Sequence, residues 1–234
     1  MPSPSLVDCG YEFVDAVQMR AALEQVGSLS DWLAFADSWN ELMVDPYLSA
    51  GARYRTRRYG VYSAWPDGTL EREPHQPHFQ HQEYNRLFGG IERWFEPITA
   101  EVGEGETMRT ILRFAVRTFG ERAPAVRRWH VEVHQFRIEA RVERPGQPTP
   151  EGAHRDGVDF VLVLLVTRDN IVSGVTTVYD HAGTALGSFT LTSPFDATLI
   201  DDNRVAHGVT AVTPLDPARS GRRDVLVVTL RAER

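Results

Sequence analysis

The sequence predicts an α+β fold, mainly β: a jelly-roll sandwich whose N-terminal helices pack on one of its sheets. Three observations predict it. Beyond Trp129 the chain falls into seven short segments rich in Val, Thr and Leu, separated by turn residues with no helical stretch between them. That rhythm belongs to an antiparallel sandwich or barrel. Before Trp129, apolar residues recur every three or four positions in two regions, as they do on amphipathic helices. Finally, 234 residues that are 42% hydrophobic can bury a sizeable core. We therefore expect one domain, 1–234, with a helical cap and flanking strands (1–128) and a jelly-roll core (129–234).

Taken in order, "VDAVQMRAALEQVGSLSDWLAFADSW" (14–39) reads as helix interrupted near Gly27 and Ser28. "ARYRTRRYGVYSAW" (52–65) alternates and reads as a strand. "EREPHQPHFQHQEYNRLFGGIERWFEPI" (71–98) is a Pro- and His-rich loop expected to lead into a helix. "TMRTILRFAVRTFGERA" (107–123) is an amphipathic helix. The core strands are then "WHVEVHQFRIEARV", "DFVLVLLVTR", "GVTTVYD", "ALGSFTLT", "DATLIDD", "VAHGVTAV" and "RDVLVVTLRA".

Composition removes several function classes. A net charge of -7 with no basic stripe gives no footing for nucleic acid. All 25 basic residues are arginine. Schiff-base chemistry and a P-loop lysine are thereby excluded, and any anionic ligand must be held by guanidinium groups. Cys9 is the single cysteine, so an intrachain disulfide and a thiolate metal cluster are both excluded. No apolar run is long enough for a membrane helix and the N-terminus lacks a secretory pattern, which points to a cytoplasmic protein with no membrane partner.

Metal ligands must then come from His and carboxylates. "GAHRDGVDFVLVLLV" places His154 and Asp156 two apart, at the entrance to a segment apolar on both faces and hence a central strand. With 8 histidines in the chain a lone His-x-Asp is commonplace, and His81/Glu83 and His130/Glu132 are alternatives of the same kind. On a strand His130, Glu132 and His134 share one face, where the plainer reading is a polar, solvent-facing stripe. What singles out His154 and Asp156 is a third ligand on a later strand, His207, followed by Arg223 at the start of the last strand. Two histidines and a carboxylate form the facial set that holds non-haem Fe(II) with positions open for a co-substrate and O2. Arg223 can pair with a distal carboxylate, with Arg222 as its alternate. A kinase reading of "HRD" fails, since no Asn follows four residues later and there is no lysine.

"VHQFRIEA", "PTPEGAHRDGVDFVLVLLVTRDNIVSGVTTVYD", "FTLTSPFDATLIDDNRVAHGVTAV" and "RRDVLVVTL" resemble the bacterial 2OG-Fe dioxygenase family that includes L-isoleucine dioxygenase and related free-amino-acid hydroxylases. "HFQHQEYNRLFGGIERWFEPI" shares the likeness, which spans most of residues 50 to 231 but not the first 45. The resemblance implies a double-stranded β-helix (jelly-roll, cupin-like) core, with Fe(II), 2-oxoglutarate and O2. It also implies hydroxylation of an aliphatic carbon, or oxidation of a thioether, of a free L-amino acid or close derivative. The expected catalytic and metal residues are His154, Asp156 and His207.

Around them, Arg223, Thr229 and Gln135 are candidates for 2-oxoglutarate, and Asp159, Arg137, Arg53 and Phe79 for substrate. Thr176, Thr177 and Tyr179 lie on an inner strand, and Arg155 between the ligands suits a supporting role. His75, His78 and His81 are expected in a lid or surface loop. A cupin-type metalloenzyme not using 2-oxoglutarate and a non-catalytic β-sandwich binding module remain as alternatives. An exposed sheet edge is compatible with a homodimer.

Overall fold

The computed structural model describes residues 5–48, 54–84, 87 and 89–233. The chain opens with α1 (Leu6–Cys9), β1 (Tyr11–Val14), α2 (Ala16–Glu24), α3 (Trp32–Asp37) and a short 3-10 turn at Ser38–Glu41. β2 (Met43–Val44), β3 (Arg55–Ala64), β4 (Leu70–Arg72), α4 (Ala100–Gly103) and α5 (Glu106–Gly120) follow. The core is β5 (Trp129–Ala140), β6 (Phe160–Asp169), β7 (Ile171–Ser173), β8 (Val175–Tyr179) and β9 (Ala185–Thr190). It continues with β10 (Ala197–Asp201), β11 (Ala206–Val209), β12 (Val212–Pro214) and β13 (Gly221–Ala232).

Eight strands form one antiparallel sheet in the order β1-β10-β6-β13-β5-β3-β2, with β4 on β3. A three-stranded sheet (β11-β8-β9) and the β12-β7 pair make the second layer, completing a mainly β jelly roll. β6 lies inside the large sheet, and Val161, Leu162, Leu164 and Leu165 along it are fully buried. Its unbroken apolar run is therefore explained by burial on both faces.

The helices cover one face of the large sheet. In α5, Met108, Ile111, Leu112, Ala115 and Phe119 recur at helical spacing and are all fully buried. They meet Trp129, Val131 and Val133 of β5, Leu162 and Leu164 of β6, and Leu226, Val228 and Leu230 of β13. Gly105 caps α5 without a side chain; Asp31 supplies the missing acceptor, its carboxylate taking the Thr107 N–H at 2.8 Å.

Strand parity then sends the alternate residues of β5 and β13 to the opposite face, toward the second layer. Glu132, His134 and Phe136 of β5 and Arg223, Val225, Val227 and Thr229 of β13 line a cavity there. The stripe His130, Glu132, His134 is thus directed into the protein rather than toward solvent, and His134 is 5% exposed.

Three other expectations differ from the structure. No helix forms among the described residues of 71–98; the segment runs as turns, with His78 and Arg93 paired as an antiparallel bridge. Pro74, Pro77 and Pro97 remove backbone donors, and Gly89-Gly90 ends any helical period. Val14, expected to begin a helix, instead ends β1, an edge strand on β10. "VAHGVTAV" divides into β11 and β12, which join different sheets.

Candidate metal centre

His154 and His207 are brought together by the backbone. Each donates its N–H to the other's carbonyl at 2.9 Å, an isolated antiparallel bridge between the loop before β6 and β11. Their rings stand 4.7 Å apart. The His154 Nδ1–H donates to the Gly152 carbonyl (3.1 Å), which leaves Nε2 as the free donor atom, 3.7 Å from Asp156 Oδ1. His207 Nε2 lies 4.0 Å from the other Asp156 oxygen. One atom from each of the three residues falls within 4.8 Å of the others, a set that can hold a metal ion.

A buried carboxylate shapes the loop. Asp202 is fully buried and accepts the N–H groups of Asp156 (2.9 Å), Gly157 (2.8 Å) and Val158 (3.2 Å). Arg155, between the two ligands, donates through Nε to the Asp202 carbonyl at 2.6 Å and lies over the Tyr84 ring. Gly157 has φ +79°, and a Cβ there would stand 2.4 Å from the Tyr84 ring. The turn after Asp156 therefore requires glycine.

The charges suit a cation. Burial raises the Asp156 pKa, but the hydrogen bond and charge of His154 outweigh it and hold the carboxyl at about 2. Burial lowers His154, yet Asp156 and then Glu151 lift it to about 9. Burial and the charge of His154 push His207 down to about 4. Burial and the nearby Asp156 charge raise Asp202 to about 7. At neutral pH the set offers an ionised carboxylate and a neutral imidazole, and an arriving cation displaces the proton on His154.

The three ligands line a cavity with about 1070 Å3 of empty space, part of it open to solvent. Arg223 and Thr229 line it too, with Thr176 of β8 and Thr198 of β10. Arg223 is 3% exposed, its Nε has no partner, and no carboxylate among the described residues pairs with it. Neighbouring Asp224 is held by Arg137 instead, through two contacts of 2.8 Å. Burial and the charge of Arg168 lower the Arg223 pKa to about 10. A buried unpaired guanidinium is costly unless an anion meets it, so the donor set fits Fe(II) and the lone arginine fits the distal carboxylate of 2-oxoglutarate.

The remaining sequence candidates are dispersed. Gln135 lies on the helix-facing side of β5, donating to Ser38 Oγ at 2.9 Å, and Arg137 shares that side. Their common face, read correctly from parity, is the one away from the cavity. Asp159 accepts from Asn203 (3.1 Å) and from the Ala232 N–H (2.7 Å), a turn-capping arrangement. Phe79 is 45% exposed and edges an adjoining hollow with His81 and Tyr84. Arg222 donates to Asn40 at 3.3 Å on the outer surface, and Thr177 bonds Ser188. Arg53 lies outside the described residues.

A second group lies on the cavity wall, where the sequence reading favoured a solvent-facing stripe and a lid or surface loop. His78 is buried, not part of a solvated lid, and its Nδ1 donates to Glu132 Oε2 at 3.0 Å. The Tyr59 hydroxyl donates to the other Glu132 oxygen at 2.6 Å. Burial raises the Glu132 pKa, but His78 and the surrounding donors outweigh it and hold the carboxyl well below its usual range. Burial, then the charge of Arg57, keeps His134 neutral. Arg57 donates to His134 Nδ1 at 2.5 Å, with its guanidinium 3.4 Å from the Phe95 ring centre. Alternation in "RYRTRRY" and "WHVEVHQF" marked which residues share a face; nothing in it marked that face as internal.

A family model described as 2OG-Fe dioxygenase matches residues 36–229. The curated 3(1)-hydroxy-L-isoleucine 4-dioxygenase of Pantoea ananatis (strain AJ13355) is 23% identical over 230 residues, which cover 95% of this chain and 92% of that protein. Among solved structures, a bsmA homolog from Methylobium petroleophilum PM1 is similar with a TM-score of 0.88 and 38% identity, over 97% of this chain and 90% of that one. IDO from Bacillus thuringiensis has the same fold, with a TM-score of 0.76 and 19% identity over 98% and 96% of the two chains.

Proposed function

The chain belongs to the 2OG-Fe dioxygenase family, and from that premise we propose that it oxidises an aliphatic carbon, or a thioether, of an amino acid. It is an Fe(II)- and 2-oxoglutarate-dependent oxygenase that uses O2. The substrate class is supported by the Pantoea relative, whose name is that of an amino-acid dioxygenase.

His154, Asp156 and His207 would hold the iron, and Arg223 the far carboxylate of 2-oxoglutarate. Together these two groups, when bound, supply the oxidising chemistry that puts an oxygen atom from O2 into an unactivated bond. The rest is the work of the chain. Asp202 and Arg155 fix the ligand loop, so that the donor atoms need little rearrangement. Val163, Val225 and Val227 give the cavity an apolar wall that excludes water and accepts an aliphatic side chain. Thr229 and Thr176 offer hydroxyls to polar atoms of the bound acid.

The observation that carries this reading is the convergence of the His154, Asp156, His207 set and an unpaired, buried Arg223 in one cavity. Two variants test it. In His154→Ala, succinate release and amino-acid oxidation both vanish. In Arg223→Met the KM for 2-oxoglutarate rises roughly 100-fold, the loss of one charge-assisted pair. Unchanged succinate release by His154→Ala would overturn the assignment.

A further inference from the structure

β6 carries an irregularity opposite β13 that changes what its far end presents to the cavity side. Leu165 pairs with Val225 but Thr167 with Asp224, so Val166 is an extra residue in the ladder, a β-bulge. Before it, Val163 lines the cavity, while Leu162, Leu164 and Val166 pack under the helices. Strict alternation would send Arg168 to the helical side with them. The bulge reverses the phase and sets Arg168 directly across from Arg223, on the same face of the sheet.

Like charges directly opposite one another on a sheet repel. Nothing here relieves the repulsion: among the described residues no carboxylate pairs with Arg168 or Arg223, since Asp169 pairs with Arg219 and Asp224 with Arg137. Arg168 Nη1 and Arg223 Nε are both buried without a hydrogen-bond partner. Burial lowers the pKa of each arginine, and the charge of Arg168 lowers that of Arg223 further.

The turn after β6 nevertheless holds Arg168 where it stands. Its Nη2 donates to the carbonyls of Ser173 (2.7 Å) and Ile171 (3.3 Å). Ser173 is left-handed, with φ +64°, a conformation that a serine seldom adopts. Gly174 follows at φ +73°, and a Cβ there would stand 3.3 Å from Arg168 Nη1 and 3.9 Å from Arg223 Cδ. The two arginines thus meet over one glycine, and only Arg223 lines the cavity.

We infer that Arg168 is a positioning residue for the co-substrate: its charge, fixed behind Arg223, keeps that guanidinium turned into the cavity and adds to the pull on a distal carboxylate. The inference rests on the reading of Arg223 as the group that holds this carboxylate, and goes beyond it by giving that end of the site a second positive charge. One arriving anion relieves the repulsion between the two arginines. A 2-oxo acid without the distal carboxylate leaves it unrelieved, so the pair rejects such an acid more sharply than a single arginine would.

The test compares 2-oxoglutarate with 2-oxopentanoate, which carries a methyl group in place of the distal carboxylate. Binding of each to the Mn(II) form without O2 is measured by calorimetry for the unmutated protein, Arg168→Gln, Arg168→Lys and Arg223→Met. Glutamine removes the charge but keeps an N–H for the Ser173 carbonyl, whereas lysine keeps the charge. Arg168→Gln should weaken 2-oxoglutarate roughly tenfold, about 1.4 kcal/mol, and leave 2-oxopentanoate bound no more weakly than before. Arg168→Lys should recover most of the lost preference, which loss of a merely structural arginine would not allow.

Unchanged affinity for 2-oxoglutarate in Arg168→Gln overturns the inference while leaving the role of Arg223 standing. So does an equal loss for both acids, or a lysine variant that prefers 2-oxoglutarate no more than the glutamine variant does. If Arg223→Met keeps the full preference for 2-oxoglutarate, the assignment of Arg223 and the inference fall together.

Discussion

Asp202 shows how much of the candidate centre depends on a residue that touches no ligand. Its carboxylate accepts three successive backbone N–H groups, the first of them that of Asp156. An amide offers one acceptor oxygen where the carboxylate offers two, so Asp202→Asn frees part of the loop. Such supporting partners are worth roughly 10- to 100-fold in metal affinity. We expect a drop of that size for Mn(II) in a competition titration, with the circular dichroism spectrum unchanged. Equal affinity in both proteins would remove Asp202 from the supporting set. Single residues were legible in the sequence where chemistry constrains spacing: His154, Asp156, His207 and Arg223 stand out because few arrangements of two histidines, a carboxylate and a later arginine suit a strand-rich core. Asp202 was not legible, because two aspartates before a turn read as side chains that meet water. Glu132 and His134 were misread for a different reason. Parity tells which side chains share a face, but whether that face meets water or a cavity is decided by a second layer far away in sequence.

Among the elements, α5 declares itself most clearly, since its apolar positions follow the helical period and the structure buries all of them but Phe114, which is half-buried. Phe119 near its end stacks on Phe160 of β6, with ring centres 4.8 Å apart and planes within 8° of parallel. Phe119 is fully buried, so truncation leaves a hole that its neighbours fill only in part. Phe119→Ala is expected to lower the unfolding free energy by about 3–5 kcal/mol, read from urea denaturation. A change under about 1 kcal/mol would mean that the helical layer packs loosely on the sheet. The four-residue β1 escaped the sequence reading because "YEFV" is too short for alternation to register. The helix expected within 71–98 failed because prolines and paired glycines override a local apolar period.

For the molecule as a whole, acid should act partly through Asp45. Burial raises its pKa, but the charges of Arg55 and Arg57 outweigh that and leave it below the ordinary value. A depressed carboxylate contributes its full stability above the unfolded-state pKa of about 3.9, and loses it as pH falls through the lower folded-state value. Asp45→Asn strands Arg55 and Arg57 without their counter-ion, which costs about 3–5 kcal/mol at neutral pH. The gap between the two proteins should narrow in urea titrations toward pH 3; a constant gap would assign the loss to packing. The β-rich plan itself was legible at this scale because seven Val- and Thr-rich segments without intervening helices admit few architectures. How the strands divide between layers was not, since adjacent segments such as β11 and β12 join different sheets. The reciprocal backbone bonds between His154 and His207 have a bearing on the metal itself. Those bonds fix two of the three ligands relative to each other through the backbone alone. Nitrogen and carboxylate donors bind several of the first-row metals more tightly than iron, so this donor set does not itself select iron. Fidelity for iron is thereby left to the supply of free ions around the protein.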